Sequence, residues 1–191
     1  MTTTTTTTEI PGYVVGTWSI DPVHSDVSFS VRHMMVSKVR GRFERFSGQI
    51  VTGEDPLASS LTAVVDAASL STNNADRDAH IRSADFLEVE KYPTLELRST
   101  GLRAKRDDEY LLDADLIVHG VTRPVTFEVE LNGFTKDPFG GYRIGISAGA
   151  EISRSEFGVS INLPMEGGGV VVGDKVQIRL DVEAVLDAPA A

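Results

Sequence analysis

The sequence predicts an all-β, antiparallel fold, and three observations predict it. Apolar residues recur at every second position through roughly eight or nine separate runs, the period of strands. In most runs one face is apolar and the other polar, as in an antiparallel sheet with one solvated side. Turn residues punctuate the runs: "HG" at 119–120, "NG" at 132–133 and "DPFGG" at 137–141.

In chain order, Trp18 and Ile20 open the first run in "TWSID". "VSFSVRH" at 27–33 places Val27, Phe29 and Val31 on one side and Ser28, Ser30 and Arg32 on the other. Phe46, Gly48 and Ile50 alternate in "FSGQIV", and "LTAVVDAASL" is a longer, less regular run. Leu95 and Leu97 alternate with Glu96 and Arg98; Leu112, Ala114, Leu116 and Val118 share the next face. Val125, Phe127, Val129 and Leu131 alternate with polar residues, and Ile144, Ile146, Ala148, Ala150 and Ile152 form another face. Val176, Ile178, Leu180, Val182 and Ala184 alternate with Gln177, Arg179, Asp181 and Glu183 in the last run. Two segments break the period. "HMMVSKVR" is read as one or two helical turns. "NNADRDAHIRSADFLEVEKYP" holds a helix through about Arg82, capped by Asn74 or Asp76 and ended before Pro93. Both are candidate lids over one end of a barrel.

With 191 residues the chain suits one domain with a sizeable core. Its 41% hydrophobic and 24% charged residues place it among globular proteins rather than disordered ones. The net charge of −10 argues against nucleic acid as a partner, and against an anionic membrane unless charge is strongly segregated. The absence of cysteine removes disulfides and thiolate chemistry. No apolar run reaches the length of about 18 residues that a membrane span requires. The start, "MTTTTTTTEIPGYVVG", has no basic n-region or apolar h-region, so a cytoplasmic location is expected. The organisation expected is a disordered Thr-rich lead over 1–12, one domain over 13–186 and a frayed tail over 187–191.

The inward faces carry many small residues: Gly48, Ala63, Ala114, Ala148, Ala150 and Ala184. Such a lining leaves room for an apolar guest in a hollow barrel. A two-sheet sandwich with a filled core, plugged by Phe43, Phe46, Phe86 and Phe127, satisfies the same pattern. The four histidines, His24, His33, His80 and His119, show no metal-ligand spacing, and no nucleophile elbow is present. "DRDAHIRSADF" reads as an ion-paired surface helix with Asp78 and Arg82 at i,i+4. An enzymatic alternative places His24, His80 and Asp78 together on an apolar substrate. Arg123 shares the parity of Val125 and Phe127, which puts it at a cavity mouth or in a structural pair with Asp21 or Asp85. "GGGVVVGD" at 167–174 is a hairpin connection, not a phosphate loop.

Four stretches together resemble the YceI-like, polyisoprenoid-binding family: "WSIDPVHSDVSFSVRHMMVSKVRGRF", "RDAHIRSADFLEVEKYP", "HGVTRPV" and "SRSEFGV", in that order over about residues 17–186. The resemblance implies an extended, lipocalin-like antiparallel barrel of about eight strands, one or two short helices covering one end. It implies an apolar pore that binds, sequesters or carries a polyprenyl lipid or isoprenoid quinone. No catalytic residue, metal or cofactor is implied, and a homodimer is a family-level expectation. The residues expected to touch the lipid are Phe29, Val31, His33, Met34, Met35, Phe46, His80, Phe86, Leu116, Val118, Arg123, Phe127, Ile146, Ala148 and Phe157.

Overall fold

The computed structural model describes residues 9–188. Its strands are β1 (Gly16–Ile20), β2 (Asp26–His33), β3 (Ser37–Phe43), β4 (Phe46–Thr52), β5 (Ser60–Asp66), β6 (Leu70–Ser71), β7 (Thr94–Arg106), β8 (Glu109–Val118), β9 (Val121–Lys136), β10 (Tyr142–Ser153) and β11 (Val172–Leu186). One α-helix, α1 (Ala75–Arg82), lies between β6 and β7. Eight strands close a ring in the order β1-β4-β5-β7-β8-β9-β10-β11, with β11 returning to β1. Every pairing is antiparallel. Closure removes the free edges that an open sheet of this size would expose, and the barrel reading holds over the sandwich.

The long strand β11 organises one wall. Its last residues pair with β1 (Ile20↔Ala184), and its first half pairs with β2 (Val27↔Leu180 to Val31↔Val176). So β1 and β2 are one strand broken at residues 21–25. Their partners β4 and β3 are broken at the matching place, Glu44-Arg45. In the upper half the outer edge of β3 pairs with β6, over Arg42↔Ser71 and Phe43↔Leu70, and not with β5, so this β2–β3 flap leaves the ring unclosed beside the space described below.

The segment "HMMVSKVR", expected to be helical, is instead the β2–β3 hairpin. Met34 and Met35 both have positive φ (+48° and +61°), and Val36 N donates to His33 O at 3.2 Å. Two consecutive positive φ values define the hairpin turn that matches strand twist, usually filled by Asn-Gly. With methionine there, periodicity carried no turn signal. "NG" at 132–133 is the converse. β9 runs straight through it, with Gly133 at φ +130° beside a register shift against Gly145-Ile146. It is a bulge, not a turn. At 119–120 the expected turn is present, with His119 and Gly120 at positive φ. Gly41 is dictated by packing: a Cβ there would meet the Phe29 ring at 2.4 Å.

Asn74 caps α1 by accepting from Arg77 N. The Thr-rich residues 1–8 and the tail residues 189–191 lie outside the described residues. Residues 11–12, expected in the disordered lead, form a turn, and Asp187, expected in the tail, donates its N–H to Thr17 O at 2.8 Å.

The core at the β1 end packs around Trp18. Trp18 is fully buried, and its Nε1 donates to Thr52 Oγ1 at 2.9 Å. Ala114 and Ala184 are packed tight, at 2% and 0% exposure, rather than bordering space. At the break between β1 and β2, Arg143 bonds Asp21 (3.0 Å), Asp137 (3.0 Å) and Glu183 (2.5 Å). Asp21, His24 and Glu183 bring their donor atoms within 4.8 Å of one another, and Arg143 already takes an oxygen of each carboxylate. The His24 ring and the Arg143 guanidinium hold the Asp21 carboxyl down to about 2, against the opposing effect of burial. A carboxylate depressed in the folded state stabilises above its ordinary pKa, and that stability is lost as pH falls through the folded value. Arg143→Met is therefore expected to destabilise the fold at neutral pH, because it leaves three carboxylates together. In urea unfolding, the gap between variant and parent should narrow as pH falls from about 4 towards 2. A gap that stays constant would remove the network from the stability of this end.

Candidate functional site: an apolar cavity under the flap

Under the β2–β3 flap the barrel holds a cavity of about 370 Å³. β2 contributes Val27, Phe29 and Val31; β8 contributes Leu116 and Val118; β11 contributes Val176, Ile178, Leu180 and Val182. Phe46, Phe127 and Phe157 complete the interior, and α1 with its following loop covers it through His80, Ile81, Phe86 and Leu87. Nearly all of these are Val, Leu, Ile or Phe, so the walls offer a guest almost nothing to hydrogen-bond. The exposed members of the lining are Arg32, Arg77, His80 and Leu163. They mark the mouth, where Arg32 and Arg77 bring two positive charges.

A second cavity of about 100 Å³ adjoins the first. Leu61, Leu97, Phe127, Leu180 and Val182 line both, so these residues stand between the two chambers. The smaller chamber continues past Ile146 and Ala148 towards Tyr13 and Tyr110.

Of the residues expected at the site, Phe29, Val31, His33, Phe46, His80, Phe86, Leu116, Val118, Phe127 and Phe157 border the larger cavity. Ile146 and Ala148 border the smaller. Met34 and Met35 do not line either; they sit exposed on the hairpin tip. Arg123 also misses both. Its parity is inward, opposite Leu116, but it lies so near the strand end that it is exposed and donates to Thr122 O. Arg123 pairs with neither Asp21 nor Asp85: Asp21 is bonded by Arg143 and His24, and Asp85 by His80. The small-residue argument misplaced the space, since only Ala63 of that set borders the larger cavity. The opening comes from the flap, a tertiary feature.

The acidic-basic helix is not a solvated ion-paired face. Asp78 is buried and accepts from Thr72 N (2.8 Å) and Thr72 Oγ1 (2.5 Å). Arg77 donates to Thr72 Oγ1 and O, and Arg82 donates to Ala68 O and Leu70 O. Asp78 and Arg82 therefore clamp the lid to residues 68–72 instead of pairing with each other. Asp78→Ala is expected to cost about 2 kcal/mol, by leaving buried donors of Thr72 unmet. It should raise hydrogen exchange over 74–92 before the barrel strands; uniform protection across both would show that the clamp is not local. His24, His80 and Asp78 do not converge. Their partners are Asp21, Asp85 and Thr72 respectively.

Arg154 was not anticipated as a site residue, although it lies in "SRSEFGV". It borders the larger cavity and is buried. Its guanidinium donates to Gly173 O (2.9 Å), Val159 O (2.7 Å), Val172 O (3.1 Å) and Asn162 Oδ1 (3.2 Å). Burial pushes its pKa below the usual arginine value, and Asp174 opposes this. No periodicity marks a residue whose partners are main-chain carbonyls.

The YceI-like domain matches residues 18–184, nearly the whole barrel. The chain belongs to the YceI-like family. Among relatives, a UPF0312 protein of Staphylococcus epidermidis is 34% identical over 172 residues, covering 89% of this chain and 98% of that one. Among solved structures, BcnA of Burkholderia cenocepacia superposes with a TM-score of 0.75 at 20% identity, over 86% of this chain and 98% of its own. A polyisoprenoid binding domain from Saccharophagus degradans superposes at 0.70 and 15% identity, over 91% and 100%. At those identities the likeness is one of fold. The family assignment rests on the domain match and the sequence relative. No helix among the described residues is long and apolar enough to cross a membrane.

Proposed function

We propose that this YceI-like protein binds an isoprenoid lipid, a polyprenyl lipid or isoprenoid quinone, and sequesters or carries it in the barrel. The observation that carries this reading is the apolar cavity of about 370 Å³, with a second of about 100 Å³ adjoining it. The larger falls within the roughly 300–1,000 Å³ typical of ligand sites. Two chambers in series suit a long, narrow chain better than a compact molecule. Each buried CH2-sized group gains about 0.8 kcal/mol, so a few isoprene units suffice for tight retention. Arg32, Arg77 and His80 at the mouth suit a head group that accepts hydrogen bonds, such as a quinone carbonyl or a phosphate. The polyisoprenoid binding domain of the same fold, and the family, support the reading. Binding rather than catalysis is proposed, because His24 and Asp78 do not border the cavity and Asp78 is committed to Thr72.

The test is uptake by delipidated protein. A long-chain ubiquinone should co-elute with the protein in gel filtration at close to one per chain, and a compact aromatic quinone without a prenyl tail should not. Equal retention of both, or of neither, would sink the tail-binding reading.

A further inference from the structure

The cavity mouth opens beside a surface that lipid binding inside the barrel does not use. Met34, Met35 and Val36 on the hairpin tip are 43%, 58% and 84% exposed, and Leu163 is 42% exposed. They form one patch. Met34 N donates to Val171 O (2.8 Å) and Val171 N to Leu163 O (2.9 Å), so the tip is stitched to the 163–171 loop. The tip is also locally strained. Two L-residues hold positive φ where Asn or Gly would do so at less cost. Strain of this kind, with flexible apolar side chains aimed at solvent, marks a site kept for a purpose beyond folding.

Charge points to the occupant. One rung behind the tip, Arg32 faces Lys38 across the hairpin, and Arg40 lies two residues further along β3. All three are exposed. Arg42 and Arg45 are paired with Glu44 and Asp66, whereas Arg32, Lys38 and Arg40 carry no ion pair among the described residues. The one acidic residue in the 163–171 loop is Glu166. In a chain of net charge −10, these three unpaired cations make a local positive patch, with Asp174 and Glu151 as the acids nearest it. Lys38 lies roughly 7 Å behind Val36 at strand rise. That depth sets apolar side chains at the acyl boundary and cations among the head groups, the arrangement of interfacial membrane anchors.

We propose that the β2–β3 hairpin tip and the 163–171 loop dock on an anionic phospholipid bilayer, presenting the cavity mouth to it. The proposal rests on the lipid-binding reading, because docking there lets an apolar guest pass between bilayer and barrel without crossing water. The experiment is flotation of the full chain with isoprenoid-free vesicles of phosphatidylcholine containing phosphatidylglycerol, and of phosphatidylcholine alone. The protein should float with the anionic vesicles, far less with the neutral ones, and be released by high salt. Val36→Asp and Lys38→Glu should each lower anionic-vesicle binding at least tenfold, while ubiquinone uptake from detergent micelles stays at the parent level. Parent protein that takes up quinone but does not float overturns docking alone. Parent protein that floats but takes up no quinone supports docking and sinks the lipid-binding reading. Variants that float as well as the parent overturn the assignment of the surface, even where the parent floats.

Discussion

Ala63→Phe is expected to lower lipid retention by roughly a hundredfold or more while the barrel stays folded. Ala63 is the small inward residue that borders the larger cavity, between Gly48 on β4 and Leu97 on β7. A ring projecting from this position takes the place of several CH2-sized groups of guest. At about 0.8 kcal/mol each, losing four such contacts is about 3 kcal/mol, or more than a hundredfold. The ring enters existing space, so overpacking should stay within about 1–3 kcal/mol. Ala148→Phe makes the contrast, because Ala148 borders the smaller chamber and not the larger. That variant should keep short prenyl chains and lose long ones. Bound lipid measured by mass spectrometry, beside a thermal melt, reads both. Full retention of a long chain by Ala63→Phe, with an unchanged melt, would place the guest elsewhere.

Arg154→Met is expected to destabilise the fold by about 3 kcal/mol. Methionine matches the apolar surroundings, but it leaves the Gly173, Val159 and Val172 carbonyls without the guanidinium that joins them. Each unmet buried acceptor costs about 1–3 kcal/mol, partly offset because a buried charge is removed. For a chain of this size the melting temperature should fall by roughly 6–12 °C. Those carbonyls belong to the segments that carry the 163–171 loop, so that loop should gain hydrogen exchange first. A loss below about 1 kcal/mol would mean that the loop holds itself without Arg154.

The alternation of Val176 to Ala184 or of Leu112 to Val118 made the strands legible, because each has one face on the core and one on solvent. Helix α1 was legible through Asn74, since capping is a local property. The β2–β3 hairpin was not, because its turn breaks the usual turn chemistry with Met34-Met35. The bulge at Gly133 carries the same residues as a turn, so the two are indistinguishable in sequence. At the site, strand parity correctly set Phe29, Val31, Leu116, Val118 and Phe127 on the cavity side. Parity failed for Arg123, since it says which way a side chain points and not how far along the barrel it sits. The clamp of Asp78 on Thr72, and Arg154 among its carbonyls, depend on loop paths that periodicity does not encode.

A guest held in the cavity should leave the cell with the protein. The full chain is purified from its native cells without detergent, extracted with organic solvent, and the extract analysed by mass spectrometry. The extract should hold a polyprenyl lipid or isoprenoid quinone at close to one per chain. A stoichiometric lipid of another class, or an empty extract from protein that also refuses added quinone, would rule out an isoprenoid guest in the cavity.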